Sequence, residues 1–266
     1  MSLHHFFLDD QVIGEQESSE FTLRLTDADA KHARVLRLAP GEHIGVVDAA
    51  RDYFECEVTA AGDGLVVRIA QKMDAPRTDP AVVLAQGLAK GDKMDDIVRH
   101  ATEVGVSSFV PLKCARSVMK LDPKKTASKL QRWQAIAHSA AMQAGRMEEP
   151  VVANPLSVAQ AARAFEDATA VLVCWEECPS TSTIADALDA AFSSAGIVDP
   201  SEAKIVVVVG PEGGLSSDEV DLLTSSPRAF PVTLGSSILR TETAGVVAPA
   251  LVLYECGGMG ARPPRA

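Results

Sequence analysis

The chain has 266 residues, 47% of them apolar, and a net charge of −11, which gives it enough apolar surface for a sizeable core and enough length for a small domain followed by a larger one. The first ten residues carry acids where a secretory signal needs a basic start, no apolar run approaches membrane-spanning length, and the five cysteines (Cys56, Cys114, Cys174, Cys178, Cys256) are scattered and odd in number; these features argue against a membrane-embedded or disulfide-stapled protein and predict a soluble one in a reducing cytoplasm. Overall acidity also disfavours general phosphate binding, yet the charge balance is −6 over residues 1–72, +3 over 73–150 and −8 over 151–266, so a basic middle lies between acidic ends.

In chain order, residues 3–8, 21–25, 43–47, 53–59 and 65–70 read as short strands separated by Gly, Asp and Ala turns, which predicts a small β-barrel over 1–72. One helix interrupts them, with Thr26 as its N-cap and Pro40-Gly41 beyond its end. Residues 73–80 hold two prolines and no periodicity, the composition of a linker. From Ala81 onward strands at 82–86, 108–112, 170–174, 205–209 and 230–234 alternate with helices at 92–104 and 123–143, helices capped by Ser157, Thr183 and Ser216, and a last helix near 241–255 in which Pro249 should place a kink. Such alternation implies a parallel sheet and an α/β domain.

Lys113, Arg116, Lys120, Lys124, Lys125, Lys129 and Arg132 face a single acid, Asp122, and fit either a solvated helix face or an RNA-phosphate contact strip. Leu130, Trp133, Ala137 and Ala140 recur at helical spacing, which places Trp133 in a core rather than under a stacked base. His100 with Glu103, and His138, have no third ligand beside them, so no metal site is expected.

Two glycine turns near the C-terminus carry the chemistry. Gly210-Pro211-Glu212-Gly213-Gly214-Leu215-Ser216 follows the β-branched run Ile205 to Val209 and precedes a helix announced by Ser216 and Glu219. Leu234-Gly235-Ser236-Ser237-Ile238-Leu239-Arg240-Thr241-Glu242-Thr243-Ala244 follows the next strand. Glycines there let main-chain groups approach a ligand closely, and a helix start presents unpaired N–H donors. The pattern is neither the dinucleotide fingerprint nor a P-loop. It suits a ligand held by peptide groups, and the nearby acid Glu212 suits a positive charge such as the sulfonium of S-adenosylmethionine.

This motif pair resembles the SPOUT superfamily of knotted methyltransferases. Three further segments narrow the resemblance to the small-subunit (16S) ribosomal RNA uracil-N3 methyltransferases: Lys31 to Arg37 with Gly41-Glu42, Gln86 to Met94 with Thr102 to Val106, and Arg132-Trp133 with Ile136-Ala137, Gln143 and Arg146. The resemblance implies a PUA-like barrel over 1–72, a linker over 73–80, and a methyltransferase domain with a trefoil knot over 81–266, acting as a homodimer on 16S ribosomal RNA of the small subunit. It implies an S-adenosyl-L-methionine pocket at Trp175, Gly210, Pro211, Glu212, Gly213, Gly214, Leu234, Gly235, Ile238, Leu239 and Arg240. Arg34, Arg37, Lys90, Lys113, Arg116, Lys120, Arg132, Gln143 and Arg146 are the corresponding RNA contacts. Ser236-Ser237 and His4-His5 stand where the family often has arginines that touch RNA.

Methylation at uracil N3 needs the imide proton to leave, and two residues fit the chemistry. Arg240 is placed to stabilise negative charge on the uracil oxygens or a phosphate, with Glu242, or a water it orients, as proton acceptor. The plainer alternative is that Glu242 complements the helix dipole and Arg240 pairs with it. A noncatalytic RNA-binding or ribosome-assembly factor, or another nucleotide-dependent enzyme, are the competing functional readings.

Overall fold

The computed structural model describes residues 3–16, 18–62, 64–74, 79–179 and 181–259. The chain folds as two compact units, Met1–Arg77 with Ala141–Glu148, and Thr78–Ala140 with Glu149–Ala266. In the first unit, strands β1 (His4–Phe7), β2 (Phe21–Thr22), β3 (His43–Val47), β4 (Tyr53–Ala61) and β5 (Leu65–Met73) form one sheet in the order β1-β3-β4-β5-β2. The β1–β3 pair is parallel and the others antiparallel. Phe6, Ile13, Ile44, Val46, Phe54, Val58 and Val67 fill its core, joined by Ala141 and Met142.

The helix α1 (Asp27–Leu36) starts where the Thr26 side chain accepts from the Asp29 N–H, and it ends at Arg37 in the left-handed region, with φ of 55°. The strand expected over 21–25 stops at Thr22, because the Gln11 amide takes over the pairing. Gln11 Nε2 donates to the Thr22 carbonyl (3.0 Å) and the Arg24 N–H donates to Gln11 Oε1 (2.7 Å). At the other end, β5 runs on to Met73 because it pairs back to Tyr53. Of the interval 73–80, residues 75–78 lie outside the described residues.

The second unit contains β6 (Ala81–Gly87), α2 (Lys93–Val104), β7 (Ser108–Lys113), α3 (Pro123–Gln143, through Ala140), β8 (Val151–Val152), β9 (Leu156–Ser157), α4 (Val158–Ala164), β10 (Ala170–Cys174), α5 (Ile184–Ala195), β11 (Lys204–Val209), α6 (Ser217–Leu223), β12 (Ala229–Val232) and α7 (Thr241–Glu255). The strands are all parallel, ordered β12-β10-β11-β6-β7-β8, with β9 also on β7. Period-two alternation explains the unbroken apolar run of β11. Ile205, Val207 and Val209 face one core with Ile97, Trp133, Leu188 and Val252, whereas Val206 and Val208 face another with Ala161 and Val220. Pro249 is buried within α7, which continues past it to Glu255.

The three caps expected from sequence form: Ser157 and Ser216 close full capping boxes with Gln160 and Glu219, and Thr183 accepts from the Asp186 N–H. One buried polar cluster ties α2 to α3. Asp95 accepts from Arg132 Nε (2.8 Å) through one oxygen and from Trp133 Nε1 (3.1 Å) through the other. Arg132, on the basic stripe, therefore directs its guanidinium at a carboxylate of its own domain.

Removing that carboxylate leaves the indole N–H buried without an acceptor. We expect Asp95→Ala to lose about 2–4 kcal/mol of stability, with Asp95→Asn losing less because it keeps one acceptor. Denaturant unfolding of the two variants measures the difference.

Candidate active site

Three loops that continue β10, β11 and β12 enclose a cavity of about 430 Å³, outside the carboxyl ends of the parallel strands where open α/β sheets place their ligands. Its volume falls within the roughly 300–1,000 Å³ of small-molecule sites. The walls are Cys174 to Glu176, Val209 to Glu212 with Gly214 and Leu215, and Thr233 to Thr241 with Ala244, and Lys93 reaches in from α2.

The strand expected over 230–234 stops at Val232 because the next residues build this wall. The Thr233 N–H donates to the Ser182 carbonyl (2.9 Å), the Gly235 N–H to Thr233 Oγ1 (3.1 Å), and Gly235 turns at φ of 108°. Gly214 turns at φ of 70°, and a Cβ on it would stand 2.6 Å from Glu176 Oε1. The backbone conformation disfavours a side chain there, and the exposed Glu176 carboxylate would have to move aside for one.

The first turn is braced from behind by the loop after β7. Arg116 Nη1 donates to the carbonyls of Gly213 (3.3 Å) and Leu215 (3.2 Å), and Glu219 accepts from the Ala115 N–H (2.7 Å) while capping α6. Gly213 lies against Arg116, where a Cβ would come within 2.9 Å of the Arg116 Cβ, and it is not among the cavity-lining residues. The other positions expected around the cofactor, Trp175, Gly210, Pro211, Glu212, Gly214, Leu234, Gly235, Ile238, Leu239 and Arg240, all line the cavity.

The charges at the cavity centre on Lys93. Its Nζ is 2.9 Å from Glu242 Oε2 and 3.4 Å from Glu212 Oε1, and Glu212 Oε1 also accepts from the Lys90 N–H (2.9 Å). Partial burial opposes the Glu212 charge, but the Lys90 N–H and the Lys93 ammonium outweigh it and hold the carboxyl below its usual range. Glu242 is likewise held low, by its own backbone N–H and then by Lys93, with Arg240 adding to the effect. The Lys93 ammonium is raised, chiefly by its bond to Glu242.

Arg240 and Glu242 do not form an ion pair with each other. Glu242 pairs with Lys93, which leaves the exposed Arg240 guanidinium at the cavity wall without a hydrogen-bond or ion-pair partner among the described residues. Arg240 is also the N-cap of α7 and makes no side-chain cap there. A cation at that end opposes the helix dipole, and a residue without a capping oxygen leaves helix N–H groups open. Cys174 lines the cavity as a neutral wall, since burial pushes its thiol up to about 12.

Of the expected RNA contacts, Arg34, Arg37, Gln143 and Arg146 belong to the first unit, and Lys90, Lys113, Arg116, Lys120 and Arg132 to the second. Trp133 is buried in the core, and His138 Nδ1 lies 2.8 Å from a Glu149 oxygen. Sequence patterning alone did not single out Lys93 or Thr241. The available signal for Lys93 was its place as the first residue of α2, where a cation again opposes the dipole.

Residues 77–253 match the family model described as RNA methyltransferase domain, and residues 25–69 match RNA methyltransferase PUA domain. The chain is 35% identical to ribosomal RNA small subunit methyltransferase E of Bacillus subtilis, across 88% of this chain and 90% of that protein. It is 34% identical to the protein of the same name from Mycobacterium tuberculosis, across 81% and 79%. Among solved structures it is similar to ribosomal RNA small subunit methyltransferase E of Neisseria gonorrhoeae bound to S-adenosyl methionine (TM-score 0.74, 27% identity, 94% of this chain and 96% of that one). It is also similar to a putative methyltransferase of Legionella pneumophila in complex with the same cofactor (TM-score 0.76, 26% identity, 95% and 97%).

Gly87 is where a single methyl group tests this architecture, because a Cβ would come 2.4 Å from the Pro211 nitrogen, which is backbone and cannot swing aside. Gly87→Ala is expected to cost about 1–3 kcal/mol and to displace the first turn, read as a lower melting temperature. The depressed carboxylates give an acid signature with a defined sign. Their contribution is present above the ordinary carboxyl value of 4.5 and is lost as pH falls through the lower folded values. Lys93→Met should flatten that acid loss in unfolding curves recorded from neutral pH downward.

Proposed function

Since the chain belongs to the family of ribosomal RNA small-subunit methyltransferase E proteins, with an RNA methyltransferase domain behind a PUA domain, we propose that it transfers a methyl group from S-adenosylmethionine to N3 of a uracil in 16S ribosomal RNA. The observation that carries this reading is the cavity itself, formed by three loops at the carboxyl ends of parallel strands, with an arginine on its wall that has no ion-pair partner among the described residues. When bound, S-adenosylmethionine supplies an electrophilic methyl group on a sulfonium. The residues present fit it. Main-chain groups of the two glycine turns and of Trp175 would hold it, and the acids Glu176 and Glu212 on the wall would suit its positive charge.

Uracil N3 keeps its proton at neutral pH and lies on the Watson–Crick edge, so the base must be splayed out of any pairing and the developing anion must be stabilised. Arg240 has the free guanidinium for that role, aimed at a uracil oxygen or a flanking phosphate. Glu242, or a water it orients, takes up the proton. Its own backbone N–H, and then Lys93, hold the Glu242 carboxyl below its usual range, so stabilisation of the developing anion is assigned to Arg240.

Arg34, Arg37, Gln143 and Arg146 of the first unit, with Lys90, Lys113 and Lys120 of the second, supply RNA contacts. A second copy of the chain covers α7, a helix apolar on nearly all sides whose Leu251 and Tyr254 are 40% and 51% exposed. Ribosomal RNA as substrate places the protein in the cytoplasm. Among the described residues no helix is long and apolar enough to cross a membrane.

Labelled methyl transfer to small-subunit RNA, with the product nucleoside identified by mass spectrometry, tests the reading, and a product other than N3-methyluridine refutes the assigned position. Arg240→Ala is expected to lower turnover about 10²–10³-fold while the protein still binds cofactor by calorimetry. An unchanged pH–rate profile in Glu242→Gln would remove that residue from proton transfer.

A further inference from the structure

Gln86, at the end of β6, is 1% exposed. Its Nε2 donates to Thr241 Oγ1 (2.9 Å), to the Gly87 carbonyl (3.0 Å) and, at longer range, to the Gly210 carbonyl (3.4 Å). Those carbonyls fix the amide's orientation, since the opposite flip would set oxygen against oxygen. Thr241 Oγ1 in turn donates to the Gly210 carbonyl (2.6 Å). The hydroxyl thus links an amide on β6 to the first glycine turn. It belongs to the first residue of α7, immediately after Arg240.

The other end of the amide has no partner. Gln86 Oε1 is buried without a hydrogen bond, and it faces Gly245 of α7, where a Cβ would be 2.6 Å away. Leaving a buried acceptor unpaired costs stability, and an apolar side chain of similar shape would avoid that cost. The fold tolerates the penalty at the one place where the amide N–H groups hold the start of α7 against the Gly210 carbonyl. The Arg240 side chain adds nothing to fixing that start, because it does not cap the helix.

We propose that Gln86 and Thr241 are positioning residues for Arg240: through the Gly210 carbonyl they fix the first turn of α7 and so hold the arginine at the cavity wall. The proposal rests on the methyltransferase reading above. Angular freedom at residue 241 passes directly to residue 240. A misplacement of about 1 Å at a charge-stabilising group is enough to lower turnover roughly 10²-fold without altering how tightly substrates bind.

The test uses the full chain with Thr241→Val, which replaces the hydroxyl by a methyl, and Thr241→Ser, which restores it; Gln86→Met stands in should the valine variant not fold. The expected results are a fall of roughly 10–100-fold in kcat for Thr241→Val, with KM for RNA and the calorimetric Kd for S-adenosylmethionine within about threefold of the parent, and recovery in Thr241→Ser. In the Arg240→Ala background the same substitution should cause no further loss, because its effect runs through the arginine. Without any ligand, the amides of Thr243 and Ala244, which donate to the Arg240 carbonyl, should exchange with deuterium faster in Thr241→Val. Full turnover in Thr241→Val, an additive loss in the double variant, or unchanged exchange at those amides overturns the positioning role alone. A parent protein that binds no S-adenosylmethionine and transfers no methyl overturns the methyltransferase reading, and the positioning role with it.

Discussion

The peptide between Gly210 and Pro211 rests on Gly87 so closely that a single added carbon would stand 2.4 Å from its nitrogen, and most of the site's geometry depends on that contact. Pro211 has no N–H and a fixed φ, so the turn has little freedom to adapt on that side. The Gly210 carbonyl is then turned toward Thr241 and Gln86. From there the chain reverses through Gly214, is held from behind by Arg116 and enters α6 through a capping box. A turn clamped on two sides offers peptide groups in fixed directions. Such preorganisation lowers the ordering cost of binding a small ligand.

Electrostatics at the cavity run against the usual rules of helix design, and the exceptions coincide with the site. Lys93 begins α2 and Arg240 precedes the first residue of α7, so two cations sit at helix N-termini, each opposing a dipole. Lys93 is compensated by Glu212 and Glu242. Arg240 has no ion-pair partner among the described residues, and the charge of Glu242 reaches it only from beyond pairing distance. A positive group held near the positive end of a helix, with acids already committed to a neighbouring lysine, keeps its affinity for an anion supplied from outside. That is the electrostatic requirement for stabilising negative charge on a substrate.

Much of this was legible in the residues. The β-branched run at 205–209, the capping spacings at Ser157, Thr183 and Ser216, and the two glycine turns each reflect local chemistry that tertiary contacts leave intact. The misjudged boundaries share a different cause. The second strand ended at Thr22 because of Gln11, eleven residues away, and β12 ended at Val232 because of Ser182, fifty residues away. No periodicity within a strand reports a partner at that distance. The two-residue strands β8 and β9 are too short to carry a period. Lys93, quoted only as part of the segment Gln86 to Met94, was given no role because its significance lies in Glu212 and Glu242, which the fold brings to it from the first glycine turn and the start of α7. The pairing of Glu242 with Lys93 rather than Arg240 likewise depends on how α2 and α7 meet.

The same lesson applies to the basic strip, where counting charges along the chain overstates what is free to meet phosphate. Arg132 is directed at Asp95, Arg116 braces the glycine turn, and Lys129 lies over the Trp133 ring. Lys113, Lys120, Lys124 and Lys125 form no ion pair among the described residues and are exposed to solvent. Each cation that neutralises a phosphate adds to the salt sensitivity of binding, so the strip itself contributes less than its charge count suggests. In an acidic chain, cations outside the strip, such as Arg34, Arg37 and Lys90, must then share that role. A limited cationic strip suits a methyltransferase of ribosomal RNA, since non-specific attraction to phosphate would hold it at the many sites where it has nothing to do.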